Sequence, residues 1–334
     1  MMYDAILWIS FGGPEKKEDV IPFLENVLRG KNVPRERMMA VAEHYYHLGG
    51  KSPINQQNRQ LIAALEAELA ARGPQLPIYW GNRNWHPLLT DTVMKMKADG
   101  VRRALAFVTS AYSSYSSCRQ YLEDIEKARA AAGEGAPVID KIRPFYNHPL
   151  YIAATTEQVR AALEQVPAER RRAAHVVYTA HSIPLSMARN SRYEEQLLEA
   201  CRLVSANLGR SGDPLVYQSR SGPPLQPWLG PDILEHLLTM KARGETTDVV
   251  IVPIGFVSDH IEVLYDLDTE ARRLCDELGL NMVRAAAVGN NPRFVTMVRE
   301  LILERTGENP ERPSLGKLGP CTDVCPPGCC LPRS

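Results

Sequence analysis

HVVYTAHSIP (residues 175–184) decides how this sequence folds. His175 to Ala180 form a short run dominated by apolar and β-branched side chains, and His181-Ser182 follow just before Ile183-Pro184 turn the chain. DVVIVPIGFVSDHIE (248–262) repeats the design, a β-rich run that delivers acidic residues and a histidine to its downstream end. Strands that are apolar on both faces belong to parallel sheets covered by helices on each side. Parallel neighbours must be joined by crossover connections, which are usually helical.

The rest of the chain obeys that rule. AILWI (5–9), PIYW (77–80), ALAFVT (104–109), PLVYQS (214–219) and MVRAAAV (282–288) are further strand candidates. Between the strands lie segments such as NQQNRQLIAALEAELAAR, HPLLTDTVMKMKADG and SRYEEQLLEACRLVSANLG, whose apolar residues recur at three- and four-residue spacing and which end at or near glycine. The pattern occurs twice. It predicts an α/β protein of two similar doubly wound, Rossmann-like parallel-sheet halves facing each other across a cleft, residues 1–150 and 151–305, with a linker and short Cys-rich C-terminal tail at 306–334.

Ligands of open parallel sheets bind outside the carboxyl ends of the strands. Those ends here supply Ser10-Phe11-Gly12-Gly13, Gly81 to Trp85, Ser110-Ala111-Tyr112, His181-Ser182, Gln218 to Gly222, and Gly255-Phe256 leading to Glu262. No GxGxxG or GxxxxGK[ST] is present, which argues against a nucleotide. Lys plus Arg equals Asp plus Glu at 39 each, so bulk charge gives no attraction to nucleic acid. No apolar run approaches the ~20 residues of a transmembrane helix. MMYDAILWIS passes straight into a strand, leaving no room for a signal peptide, and a cytoplasmic location is expected.

His181 at a strand end is, taken alone, most simply a histidine bonded to backbone. The second strand end changes that reading. Ser258 is expected to cap a helix in which Glu262, Asp266 and Glu270 fall at i, i+4 and i+8 on one face. Like charges at this spacing destabilise a helix. They form either a solvated acidic face, neutralised by Arg272 and Arg273, or a file of carboxylates leading cations or protons to a buried centre. Imidazole with carboxylate is an N/O ligand set that suits Fe²⁺ and also accepts protons near neutral pH.

SFGGP (10–14), LGGKSPINQQ (48–57), TAHSIP (179–184), YQSRSGPPLQPWLGP (217–231) and GFVSDHIEVLYDLD (255–268) together resemble the ferrochelatase family, in order, from about residue 3 to 305. The resemblance implies an enzyme that inserts Fe²⁺ into a porphyrin. It makes His181 and Glu262 the catalytic pair, which also holds the metal, with Asp266 and Glu270 behind them. Some relatives carry a tyrosine, a candidate axial iron ligand, where this chain has Phe11, so only packing against the ring face is left to that position. Arg29, Ser52, Ser113, Ser116 and Tyr121 match the family's porphyrin rim. Trp85 and Trp228 are read as core. Coproporphyrin III is the favoured substrate and protoporphyrin IX the alternative, with a downstream haem-pathway enzyme as a candidate partner. Competing readings are a cobalt or nickel chelatase, an iron–sulfur electron carrier, or a haem chaperone without turnover.

Four cysteines crowd the tail, Cys321, Cys325, Cys329 and Cys330, spaced C-x₃-C-x₃-CC. Four sulfurs suit a [2Fe–2S] cluster or structural zinc, although zinc ribbons use two separated CxxC knuckles. The family resemblance favours [2Fe–2S] and implies Cys118 as an internal ligand. Five cysteines then compete for four places, and the spacing does not choose among them. Cys201 and Cys275 occupy apolar helical positions and are read as core.

Overall fold

The computed structural model of the protein describes residues 3–222, 225–244 and 247–332; Pro223-Pro224 of the YQSRSGPPLQPWLGP stretch lie outside the described residues. The N-terminal sheet contains β1 (Ala5–Ser10), β2 (Ile78–Asn82), β3 (Arg103–Val108) and β4 (Val138–Lys141), in the order β2-β1-β3-β4. The C-terminal sheet contains β5 (His175–His181), β6 (Leu215–Gln218), β7 (Asp248–Val252) and β8 (Asn281–Arg284), in the order β6-β5-β7-β8. Every pairing is parallel. The two orders are equivalent, so β1 and β5 each start a half and sit where the winding reverses. That is the switch point at which such sheets open a crevice.

Sequence periodicity missed β4 because VIDK offers little apolar surface and Val138 is exposed. It also ran β8 too long: β8 pairs only with β7, and beyond Arg284 the ladder stops. The halves do not keep separate interiors. One apolar cluster joins Trp8 and Phe107 of the first sheet to Tyr178 of the second and to Phe294 and Val298 of the helix Pro292–Thr306. Phe107 stacks on Trp8 and Phe145 at 4.6 and 5.3 Å between centroids. Tyr112 and Tyr151 both donate to the Ile254 carbonyl, at 3.0 and 3.2 Å.

The segment read as a linker is strapped to the body. Asn147 donates to the carbonyls of Leu315 and Gly319 at 3.1 and 2.9 Å and accepts from the Leu315 amide at 2.8 Å. Arg143 and Glu304 make a buried ion pair at 2.8 Å, and Arg143 also reaches the Pro313 carbonyl at 3.1 Å. Asp323 receives Arg305 at 3.1 Å and Arg312 at 3.3 Å. No helix among the described residues is long and apolar enough to cross a membrane.

Candidate active site

β5 ends at His181, whose Nδ1 bonds the Ser182 carbonyl. A carbonyl only accepts, so Nδ1 carries a proton, and in the neutral ring Nε2 presents a lone pair. That Nε2 stands 3.7 Å from Glu262 Oε2. The sequence placed the two groups at separate strand ends, and the fold brings them together. Glu262 keeps 46% of its side chain accessible. Desolvation pushes its carboxyl up. Attraction to His181 in its protonated form, a hydrogen bond from His260 and the Lys31 charge outweigh that and hold it at about 2.

His260 was not among the expected site residues. It donates from Nε2 to Glu262 at 3.1 Å, while its buried Nδ1 has no hydrogen-bond partner. Its neighbour Asp259 does not begin a helix as expected but pairs with Arg284 at 3.0 Å. Ser258 does not cap: its buried hydroxyl has no partner, and His260 occupies the cap position of Ile261–Val263.

The carboxylate file then runs through a π-helix, Leu264–Ala271, before an α-helix resumes at Arg272–Glu277. Single wide turns of this kind concentrate at functional sites. Asp266 is half-buried and held by the Ser219 hydroxyl and by Gln218 Nε2 at 3.3 Å. Ser219 has φ of 61°, a left-handed conformation costly for a side-chain-bearing residue, and its hydroxyl is thereby aimed at Asp266. Burial and the charges of Glu262 and Glu270 push Asp266 up to about 7 against these hydrogen bonds. Burial likewise raises Glu270, with Arg273 opposing it. Two carboxyls one turn apart are thus driven in opposite directions, one ionised and one poised to exchange a proton near neutrality.

Facing Glu262, the N-terminal half supplies an apolar wall. Phe23, Leu24 and Tyr45 form its buried part and meet Ile261 of the other half, with Phe11, Val27, Leu28 and Trp85 packed against them. Trp85, read as core, is only half-buried on this wall. The loop bearing Phe11 passes tightly. Gly12 has φ of +80°, and a Cβ there would meet Asn82 at 2.8 Å. Ser52 is buried beneath Gly13 and accepts from the Ile54 amide at 3.5 Å, so it braces this loop.

Arg83, absent from the expected set, organises the rim. Its guanidinium lies 4.7 Å from the Tyr121 ring and 5.8 Å from Phe11, pairs with Asp124 at 2.7 Å and reaches the Ser116 carbonyl at 3.4 Å. Tyr121 is buried against Arg83, Ser116 is exposed with its hydroxyl on Met187, and Arg29 is exposed. Of the proposed rim residues, Phe11, Ser116 and Tyr121 thus meet around Arg83. Ser113 departs furthest: its hydroxyl and amide bond Gln196 at 3.1 and 2.8 Å, beside Cys321.

Ser113 belongs to a thiol site on the other side of its loop. Cys118, on the π-turn Tyr115–Arg119, accepts from the Cys325 thiol, which lowers it against burial, with the Lys141 ammonium assisting. Cys329 and Cys330 sulfurs lie 3.5 Å apart. Cys321 is raised by burial and relieved by the Ser113 hydroxyl. Among the described residues no three His, Cys, Asp or Glu side chains converge on one point closely enough to hold a single metal ion. Cys201 and Cys275 are buried in apolar surroundings that push both thiols up, as core positions should.

With this geometry established, the chain can be set beside known proteins. The family model described as Ferrochelatase matches residues 3–306. A protein of Rhodopirellula baltica named ferrochelatase is 58% identical over 329 residues, covering 98% of this chain and 93% of its own. A coproporphyrin III ferrochelatase of Nocardia farcinica is 50% identical over 345 residues, covering 100% and 98%. The sirohydrochlorin chelatase SirB of Bacillus subtilis subspecies spizizenii, solved with cobalt, superposes with a TM-score of 0.52 at 12% identity over 92% of this chain and 98% of that one, a likeness of fold alone. A match spanning nearly the whole chain, on a fold whose switch point carries His181 and Glu262, has one consequence: the chain belongs to the ferrochelatase family.

Proposed function

We propose that the protein inserts Fe²⁺ into coproporphyrin III, with His181 and Glu262 as the catalytic pair. The observation that carries this is the 3.7 Å approach of His181 Nε2, with its lone pair free, to an ionised Glu262 opposite an apolar wall. Metallation forms four iron–nitrogen bonds and releases two pyrrole protons. His181 Nε2 accepts one of these protons and Asp266 with Glu270 takes the other along the π-helix, while Glu262 holds the incoming dication and balances the imidazolium. Phe11 packs against the macrocycle. Arg29, Lys31 and Arg83 supply positive charge on this half, and Lys31 and Arg83 lie close enough to influence each other. Such an edge suits a porphyrin with two more propionates than protoporphyrin, and the relatives at about half identity are named for coproporphyrin III. A cytoplasmic enzyme, handing its product to a downstream haem-pathway enzyme, is consistent with this reading.

The thiol site is read as the seat of a [2Fe–2S] cluster. Each iron takes two thiolates, and the sulfurs stand in pairs, Cys118 with Cys325 and Cys329 with Cys330, with Cys321 as the fifth candidate. Lys141, 8% exposed, adds the positive charge an anionic iron–thiolate group requires. Such a group stays anionic in either redox state and takes no part in proton release. The test is anaerobic incubation of the protein with Fe²⁺ and each porphyrin while following the Soret band. Faster metallation of coproporphyrin III is expected; preference for protoporphyrin IX reassigns the substrate, and no Fe²⁺ consumption with either ends the reading.

A further inference from the structure

The first turn of the helix Tyr193–Asn207 touches both sites at once. Tyr193 is buried and its hydroxyl donates to the His181 carbonyl at 3.1 Å. Gln196, three residues on and 1% exposed, occupies the same helix face. It donates to Cys321 Sγ at 3.5 Å and to the Ser113 hydroxyl at 3.1 Å, and accepts from the Ser113 amide at 2.8 Å. Tyr112, next to Ser113, lies edge-on to Tyr193 at 6.2 Å and bonds the Ile254 carbonyl, where the chain leaves β7 toward Glu262. The imidazole of His181 takes its orientation from the adjacent backbone through the Ser182 carbonyl. A shift of that backbone therefore re-aims Nε2.

We infer that Tyr193 is a positioning residue for His181 and that Gln196 ties it to Cys321, so the state of the thiol site sets how well the metal-insertion centre is aimed. This rests on the reading of the tail as a cluster site. Packed interiors transmit such displacements because their contacts leave little slack. Coupling of this kind is reciprocal, so a ligand in the cleft must also be sensed at the cluster.

Two measurements test it. In steady-state iron insertion, Tyr193→Phe, which keeps the ring and removes one hydrogen bond, is expected to lower kcat roughly 2- to 10-fold with the porphyrin KM unchanged. Cys321→Ser is expected to lower kcat in the parent but to add less than about twofold in the Tyr193→Phe background, since both break one link. Fully multiplicative effects overturn the coupling. Separately, the electron paramagnetic resonance g values of the dithionite-reduced protein should shift when diamagnetic zinc coproporphyrin is added, and should not shift in Tyr193→Phe or Gln196→Met. Unchanged g values in the parent, with zinc coproporphyrin shown to bind, also overturn it. A parent with no cluster signal fails the cluster reading instead, and the kinetic cycle then decides the coupling alone.

Discussion

β1 and β5 hold the same place in two sheets of equivalent order, yet their tips are chemically opposite. At the β1 tip, Ser10 donates to Asn82, whose amide in turn donates to Asn55 at 3.3 Å and to the His86 carbonyl at 3.1 Å. That network is neutral and buried. At the β5 tip, His181 and Glu262 face each other with charge and with access to the cleft. The scaffold fixes where a site forms, while the residues at the tips decide what it does. Under the proposed function, one half is the wall and the other carries the chemistry.

The sharpest way to break this contrast is to disable each tip in turn. His181→Ala should lower kcat by roughly 10²- to 10⁴-fold, the usual contribution of a positioned acid–base group. The visible spectrum of the proposed cluster should survive. Ser10→Ala should cost stability only, about 1 kcal/mol, with kcat within roughly twofold. Equal kinetic losses at the two tips would mean that the division of labour is wrong.

The halves differ in chemistry but share one interior, and the Arg143–Glu304 pair tests that. Removing one partner of a buried pair costs about 3–5 kcal/mol, so Arg143→Met should lower the thermal midpoint in a single cooperative transition. Two separate transitions would show independent halves. On the wall, Phe11→Ala should raise the porphyrin KM by roughly tenfold, from the apolar burial lost, and leave kcat within about twofold.

The smallest expected effect is at Asp266. Its native proton is held up to about 7. The unfolded chain releases the same proton near about 4. Between those values the native state binds more protons, so this contribution favours folding at low pH and is lost as pH rises through the native value. Asp266→Asn should therefore melt higher than the parent above about pH 7, with the two curves converging below about pH 4, and should insert iron a few-fold more slowly. A parallel pair of melting curves across that range contradicts the assigned environment.

Much of this was legible in the sequence. Seven of the eight strands were found because they read as apolar runs, four of them almost wholly buried. His181 and Glu262 stood out as titratable groups on strand ends. The π-helix left no mark, because a carboxylate every fourth residue keeps to roughly one side of a wide turn as well as an α-helical one. His260 was hidden by its position before the helix, and Gln218 with Ser219 by ordinary polarity; only the backbone twist at Ser219 exposes their hold on Asp266. Ser113 and Tyr121 could not be told apart, because hydroxyls in one loop look alike until the fold turns one toward Cys321 and packs the other against Arg83.

The most direct test is a crystal of the protein soaked in Co²⁺, with the metal located by anomalous scattering. The account predicts a peak within about 2.0–2.2 Å of His181 Nε2 and a Glu262 oxygen. Cobalt bound elsewhere, with both of these side chains left free, would contradict it.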